Sequence, residues 1–170
     1  GFQELNIVPV AISYEIEPCG LAKIKELIKK EHYGQTKTSK DDLKSMAMGM
    51  FNPKGRMQFT FGKPIEITPE LGNPKSKELL NKVAQDVAEK IDQQIYTNYK
   101  LWPNNFIAYD MLMQEHRFKN KYTHAEEKRF ELMIEQAMIH IDYPITDIYE
   151  RFLKLYANPV INRLKVGDIL

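Results

Sequence analysis

Four histidines and one cysteine are the residues of this 170-residue chain best suited to move a proton or attack a carbonyl near neutral pH. His116 and His124 stand eight positions apart across an expected loop. Neither they nor His32 and His140 fall in the His-Glu-x-x-His spacing that puts two metal ligands on one helical face. A surface or capping role is the reading for all four. Cys19 sits between Pro18 and Gly20, with Lys23 four positions on and no immediate basic neighbour to stabilise a thiolate. A small buried thiol is therefore preferred to a nucleophile. Gly34, Gly49, Gly55 and Gly62 are isolated, which excludes a glycine-rich phosphate loop, and no Gly-x-Ser-x-Gly elbow supplies a serine nucleophile. These residue types name no catalytic residue, no metal and no cofactor.

Two groups of residues suit recognition better than reaction. Tyr96, Tyr99, Trp102, Phe106 and Tyr109 interleave with Lys100 and asparagines, a pattern of base stacking or of an interfacial belt, and more often of a small aromatic core where a helix end folds back. Met46, Met48, Met50, Met111 and Met113 have the pliability to line an acyl pocket, with core filling as the simpler use.

The elements that must position them follow from periodicity. Asn6 to Ile16 is near-continuously apolar and reads as a strand buried on both faces, with Pro9 confined to its start, an edge or a bulge. Leu21, Ile24, Leu27 and Ile28 predict an amphipathic helix. Ser39 with Asp42 predicts the cap of a second, short helix whose inner face is Leu43, Met46, Ala47 and Met50. Met57, Phe59 and Phe61 alternate with polar residues and predict a half-buried strand ending at Gly62-Lys63-Pro64. From Lys75 to Tyr99 the apolar stripe Leu79, Leu80, Val83, Ala84, Val87, Ile91, Ile95 predicts a long helix. A short helix over Asn105 to Glu115, a helix opened by a Thr123–Glu126 capping box and running to about Ile141, and a last helix carrying Ile148, Phe152, Leu155 and Tyr156 complete the chain. The expected fold is helix-rich α/β: a partial sheet of about two strands with covering helices over 1–70, then a helical extension over 71–170 packed on it.

Composition narrows the setting. A formal net charge of +1 gives no overall attraction to nucleic acid, and the lysines of 23–30 and 37–44 are interrupted by Glu26, Glu31, Asp41 and Asp42. No nucleic acid partner is expected. One cysteine excludes an internal disulfide framework and fits a cytoplasmic, reducing compartment. No run approaches the roughly 18 apolar residues of a membrane span. The chain also enters an apolar strand directly after Gly1-Phe2-Gln3-Glu4-Leu5, so a start inside a longer protein is expected.

Two segments carry a resemblance. Asn6-Ile7-Val8-Pro9-Val10-Ala11-Ile12-Ser13-Tyr14-Glu15 and Gly55-Arg56-Met57-Gln58-Phe59-Thr60-Phe61-Gly62-Lys63-Pro64-Ile65 together resemble the later part of the glycerol-phosphate and lysophosphatidic acid acyltransferase family. The first is similar to that family's fourth conserved block, built around Val-Pro-Val; the second is similar to the strand that closes its domain. Ile91 to Asp110, with Leu101-Trp102-Pro103-Asn104-Asn105, resembles the helical extension of a bacterial branch.

The resemblance implies transfer of an acyl group from acyl-CoA or acyl carrier protein to a hydroxyl of glycerol phosphate or a lysophospholipid, in phospholipid synthesis. It implies peripheral contact with the inner membrane and no cofactor. The family's base is a His with an Asp five positions on; here the residues five after the histidines are Lys37, Lys121, Arg129 and Ile145, so this segment carries no catalytic residue. Val8, Pro9 and Val10 match the block that lies near the acyl or acceptor pocket, with a plain buried strand as the other reading. Arg56 and Lys63 are placed to face a phosphate or, more simply, solvent. Strands cut from a larger sheet expose edges and apolar surface, which predicts a homodimer of the isolated segment. The contrasting reading is a non-enzymatic helical module, roughly Lys75 to Leu170, that recruits a carrier protein or a membrane surface.

Overall fold

The computed structural model describes residues 6–34, 38–67, 76–139 and 144–167. Among these residues there are six helices and a two-stranded antiparallel sheet packed against helices, a helix-rich α/β arrangement. In chain order they are β1 (Val10–Tyr14), α1 (Gly20–Tyr33), α2 (Ser39–Phe51), β2 (Met57–Phe61), α3 (Lys77–Asn98), α4 (Pro103–Met113), a 3₁₀ turn at Lys119–Lys121, α5 (His124–Ile139) and α6 (Ile145–Lys165). The contacts divide the chain into two compact units. One takes in Gly1–Ser13, Gln58–Lys100 and Asn162–Leu170, the other Tyr14–Met57 and Leu101–Ile161. Each unit thus draws on both sides of residue 70, because α3 belongs with the strands and α4 to α6 belong with α1.

In the first unit Gly62 N–H donates to the Pro9 carbonyl at 2.8 Å and Ile65 N–H to the Ile7 carbonyl at 2.8 Å. This register sets Val10 opposite Phe61 and Ile12 opposite Phe59 on one face, and Ala11 and Ser13 on the other. Ala11 and Ser13 are buried, whereas Val10, Ile12, Phe59 and Phe61 are exposed. The strand is therefore not buried on both faces, as its continuous hydrophobicity predicts. Its small residues face inward, where the Ser13 hydroxyl accepts from the Lys100 backbone at 2.8 Å beyond the end of α3. Pro9 immediately precedes β1, where its carbonyl accepts from Gly62 N–H and the proline returns no bond.

Ser76 caps α3, its hydroxyl accepting from Leu79 N–H. Of the apolar stripe along α3, only Val83 is buried, while Leu79 and Leu80 lie in solvent. Gln94 clasps the Lys63 backbone, its Oε1 accepting from N–H at 2.7 Å and its Nε2 donating to the carbonyl at 3.0 Å. A Cβ at Gly62 would meet that Oε1 and the Pro9 carbonyl. Gly62→Ala is thus expected to break the clasp and destabilise the protein by about 1–2 kcal/mol, read from a urea unfolding curve; an unchanged midpoint would show the clasp to be inert.

The second unit has the larger core. Asn105 to Asp110 of α4 are all buried, and α1, α5 and α6 turn Ile24 and Ile28, Phe130, Ile134 and Ala137, and Phe152, Leu153, Tyr156, Ala157 and Val160 inward. Their three- and four-residue spacing is the one a helix needs to bury one stripe. Pro103 opens α4, with Asn105 Oδ1 accepting from Trp102 N–H at 2.7 Å and Asn105 Nδ2 donating to the Tyr156 carbonyl at 2.9 Å. α5 opens with the expected capping box: Thr123 Oγ1 accepts from Glu126 N–H, and Glu126 Oε2 from Thr123 N–H at 2.8 Å. Its expected end at Ile141 lies outside the described residues.

Two expectations for α2 are corrected. Its capping box is Thr38 with Asp41, one residue before the predicted Ser39–Asp42 pair. Its predicted inner face is turned out: Leu43, Met46 and Met50 are exposed. The physical reason is the turn before α1, where Cys19 Sγ donates to the Ser45 carbonyl and Asn52 Nδ2 to the Pro18 carbonyl. Those contacts hold the Ser45–Gly49 side inward.

Candidate functional site

Val8 and Val10 are exposed beside the open sheet face, and Pro9 between them is buried. The structure therefore keeps the predicted residues together along one strand edge without enclosing them. Arg56 does not face a free anion position. Its Nη2 and Nε donate to the two Glu15 oxygens at 2.8 and 3.1 Å, and its guanidinium lies 4.8 Å from the Trp102 ring centre. Lys63 is exposed, and its backbone is held by Gln94.

The Arg56 hydrogen bonds hold the Glu15 carboxyl below its ordinary value of 4.5, aided by the Arg56 backbone N–H and opposed by burial. A lowered folded-state pKa gives stability that is present above the unfolded value and lost as pH falls through the folded one. Arg56→Gln is accordingly expected to lower the urea midpoint at pH 7. The gap from the parent protein should close as pH drops below about 4.5; a gap independent of pH would refute the pairing as its source.

His32 Nε2 lies 3.3 Å from Asp147 Oδ2 and His124 Nδ1 3.4 Å from Glu127 Oε2. Both are surface pairs. His116 is exposed and His140 lies outside the described residues. Among the described residues no group of three His, Cys, Asp or Glu side chains is arranged to hold a metal. The predicted aromatic cluster divides: Trp102, Phe106 and Tyr109 are core residues of the second unit, with Phe118 5.2 Å from the rings of Phe106 and Tyr109. Tyr96 and Tyr99 belong to the first unit, where Arg163 donates to both of their carbonyls at the end of α3.

The second unit carries a half-open cavity of about 410 Å³. Ile16, Pro18 and Leu21 form the wall at the start of α1, and Met48 and Pro53 come from α2 and its exit. Met133 and Ala137 of α5 and Phe152 and Tyr156 of α6 close it. Of the five methionines read as core filling or, alternatively, as lining for an acyl pocket, Met48 alone lines this space, and Met46, Met50 and Met113 are exposed. Met133 was not singled out by spacing, although it lies one turn before Ala137 on the stripe that the core uses.

The polar groups at the wall are engaged with one another. Glu17 Oε1 accepts from Lys23 Nζ at 3.0 Å and from Cys19 N–H, Tyr156 Oη accepts from Glu17 N–H at 3.1 Å, and Asn52 Nδ2 donates to Pro18. No helix among the described residues is long and apolar enough to cross a membrane. Comparison with protein-family models, curated proteins and solved structures gives no match to the chain.

Proposed function

We propose that the chain is the C-terminal portion of a glycerolipid acyltransferase, supplying strands and covering helices to a domain whose reactive histidine and aspartate lie upstream. One observation carries this reading. The two segments that resemble the family, 6–15 and 55–65, are hydrogen-bonded neighbours in the fold; among the described residues no further strand pairs with either edge, and they present an apolar face made of Val10, Ile12, Phe59 and Phe61. A two-stranded ribbon with such a face is a fragment of sheet physics: it gains stability from further strands and a covering layer.

In the whole protein the acceptor hydroxyl attacks the thioester carbonyl, the upstream histidine takes its proton and the carrier thiol leaves. The present residues contribute walls and no reacting atom. The test is the full-length protein assayed for acyl transfer from acyl-CoA and acyl carrier protein to glycerol phosphate. Activity that disappears when the His of an upstream His-x4-Asp pair is changed to Ala supports the reading. A native protein without that pair overturns it.

The same open face predicts self-association of the isolated chain. Sedimentation equilibrium is expected to give a mass above the monomer, and Phe59→Lys with Phe61→Lys to weaken association by at least roughly tenfold, because each aromatic buried at an interface is worth about 1.5–3 kcal/mol. A monomer at high concentration would contradict this.

A second reading, a non-enzymatic helical module, is favoured by Leu132 and Ile139, which lie two turns apart on one side of α5 and are 55% and 80% exposed. Such a pair is an anchor for a carrier protein or a lipid surface. Liposome flotation and carrier pull-down with Leu132→Glu separate this reading from the first, which leaves both unchanged.

A further inference from the structure

We propose that the cavity of the second unit binds an uncharged aliphatic chain, such as that of a long-chain alcohol. The proposal does not depend on the acyltransferase reading. At about 410 Å³ the space lies within the range of small-molecule sites, and its walls are mainly the apolar surfaces of Ile16, Leu21, Met133, Ala137 and Phe152. Met48 and Met133 are unbranched and polarisable, so they adapt to chains of different length without strain.

Charge selects the head group. Glu17 is a lining residue whose carboxylate opposes an anionic head placed beside it, while a cationic head would have to displace Lys23, which already holds that carboxylate at 3.0 Å. Two backbone groups of the lining residues are likewise satisfied, Glu17 N–H by Tyr156 and the Pro18 carbonyl by Asn52. An occupant that brings hydrocarbon and a hydroxyl therefore gains burial without stripping a bonded polar group.

The experiment is calorimetric titration of the protein with decanol, decanoate and decylammonium in parallel, with thermal unfolding as a second readout. Decanol is expected to bind and to raise the Tm, and both charged analogues to bind at least tenfold more weakly. Ala137→Leu, which places a larger side chain in the space, is expected to abolish binding. Leu21→Trp, at a half-buried position of the same wall, is expected to weaken it tenfold and serves if the first variant does not fold. Absence of decanol binding, equal binding of decanoate, or full binding by a folded filling variant each overturns the proposal. A chain that fails every acyl-transfer assay still binds decanol if this inference is right.

Discussion

Phe130→Ala is expected to cost about 4 kcal/mol and to lower the Tm by roughly 12 °C. Phe130 is 0% exposed on α5, with its ring centre 5.8 Å from Phe152 and 5.3 Å from Tyr156 on α6. The contact with Tyr156 is edge-on, the arrangement that sets a positive ring edge against a negative face. Truncation removes the transfer energy of a whole ring and leaves a void that neither helix can close, since Phe152 and Tyr156 are themselves 5.2 Å apart and buried. Phe130→Leu keeps much of the volume and is expected to lose only about 1.5 kcal/mol. Equilibrium denaturation of both variants checks the pair; similar losses would mean that ring geometry, rather than filled space, holds α5 to α6.

Asp110→Ala carries the next largest effect, about 3 kcal/mol. Asp110 is a buried carboxylate at the end of α4. Its oxygens accept from Phe118 N–H at 3.2 and 3.1 Å and from the Tyr122 hydroxyl at 3.0 Å. Removing the acceptor strands both donors in the interior, the costly side of the hydrogen-bond balance. Tyr122→Phe removes one donor only and is expected to cost about 1 kcal/mol, so a double-mutant cycle should show strong coupling.

Burial first, and the Asp110 bond second, push the Tyr122 hydroxyl well above its ordinary value of 10.0. A raised tyrosine pKa gives stability that is complete below the unfolded value and is lost as pH rises beyond it. Alkaline unfolding starting above about pH 10 should therefore be gentler in Tyr122→Phe. Identical alkaline limbs would rule out this source.

What the sequence revealed depends on how local each determinant is. The Thr123–Glu126 box was legible because both partners lie within one turn. At α2 two Ser/Thr–Asp pairs with the same spacing overlap, and the choice of Thr38–Asp41 rests on local backbone conformation rather than composition. The outward turn of Leu43, Met46 and Met50 follows from the Cys19–Ser45 contact, 26 positions apart, which no periodicity records. Likewise β1 was legible as a strand but not as to which side faces in: Ala11 and Ser13 win the interior because Lys100 N–H needs the serine hydroxyl. Pro159 lies inside α6, where proline deprives the Leu155 carbonyl of its usual partner. Burial of Phe152, Leu153, Tyr156, Ala157 and Val160 around it outweighs that loss. The cavity draws on four separated stretches of chain, and Val8, Pro9 and Val10 are not among them.

Arg163, which grips the Tyr96 and Tyr99 carbonyls, also bears on the order of events at the ribosome. The unit built from Tyr14–Met57 and Leu101–Ile161 has all its parts once Ile161 has emerged, and the strand-bearing unit needs Arg163, 64 positions beyond Tyr99 at the end of its helix. Closing so long a loop is slow and is entropically costly until the contact forms. During synthesis the ribbon of β1 and β2 thus stands without its last clamp, and a nascent chain halted before Arg163 should be the form most readily captured by chaperones.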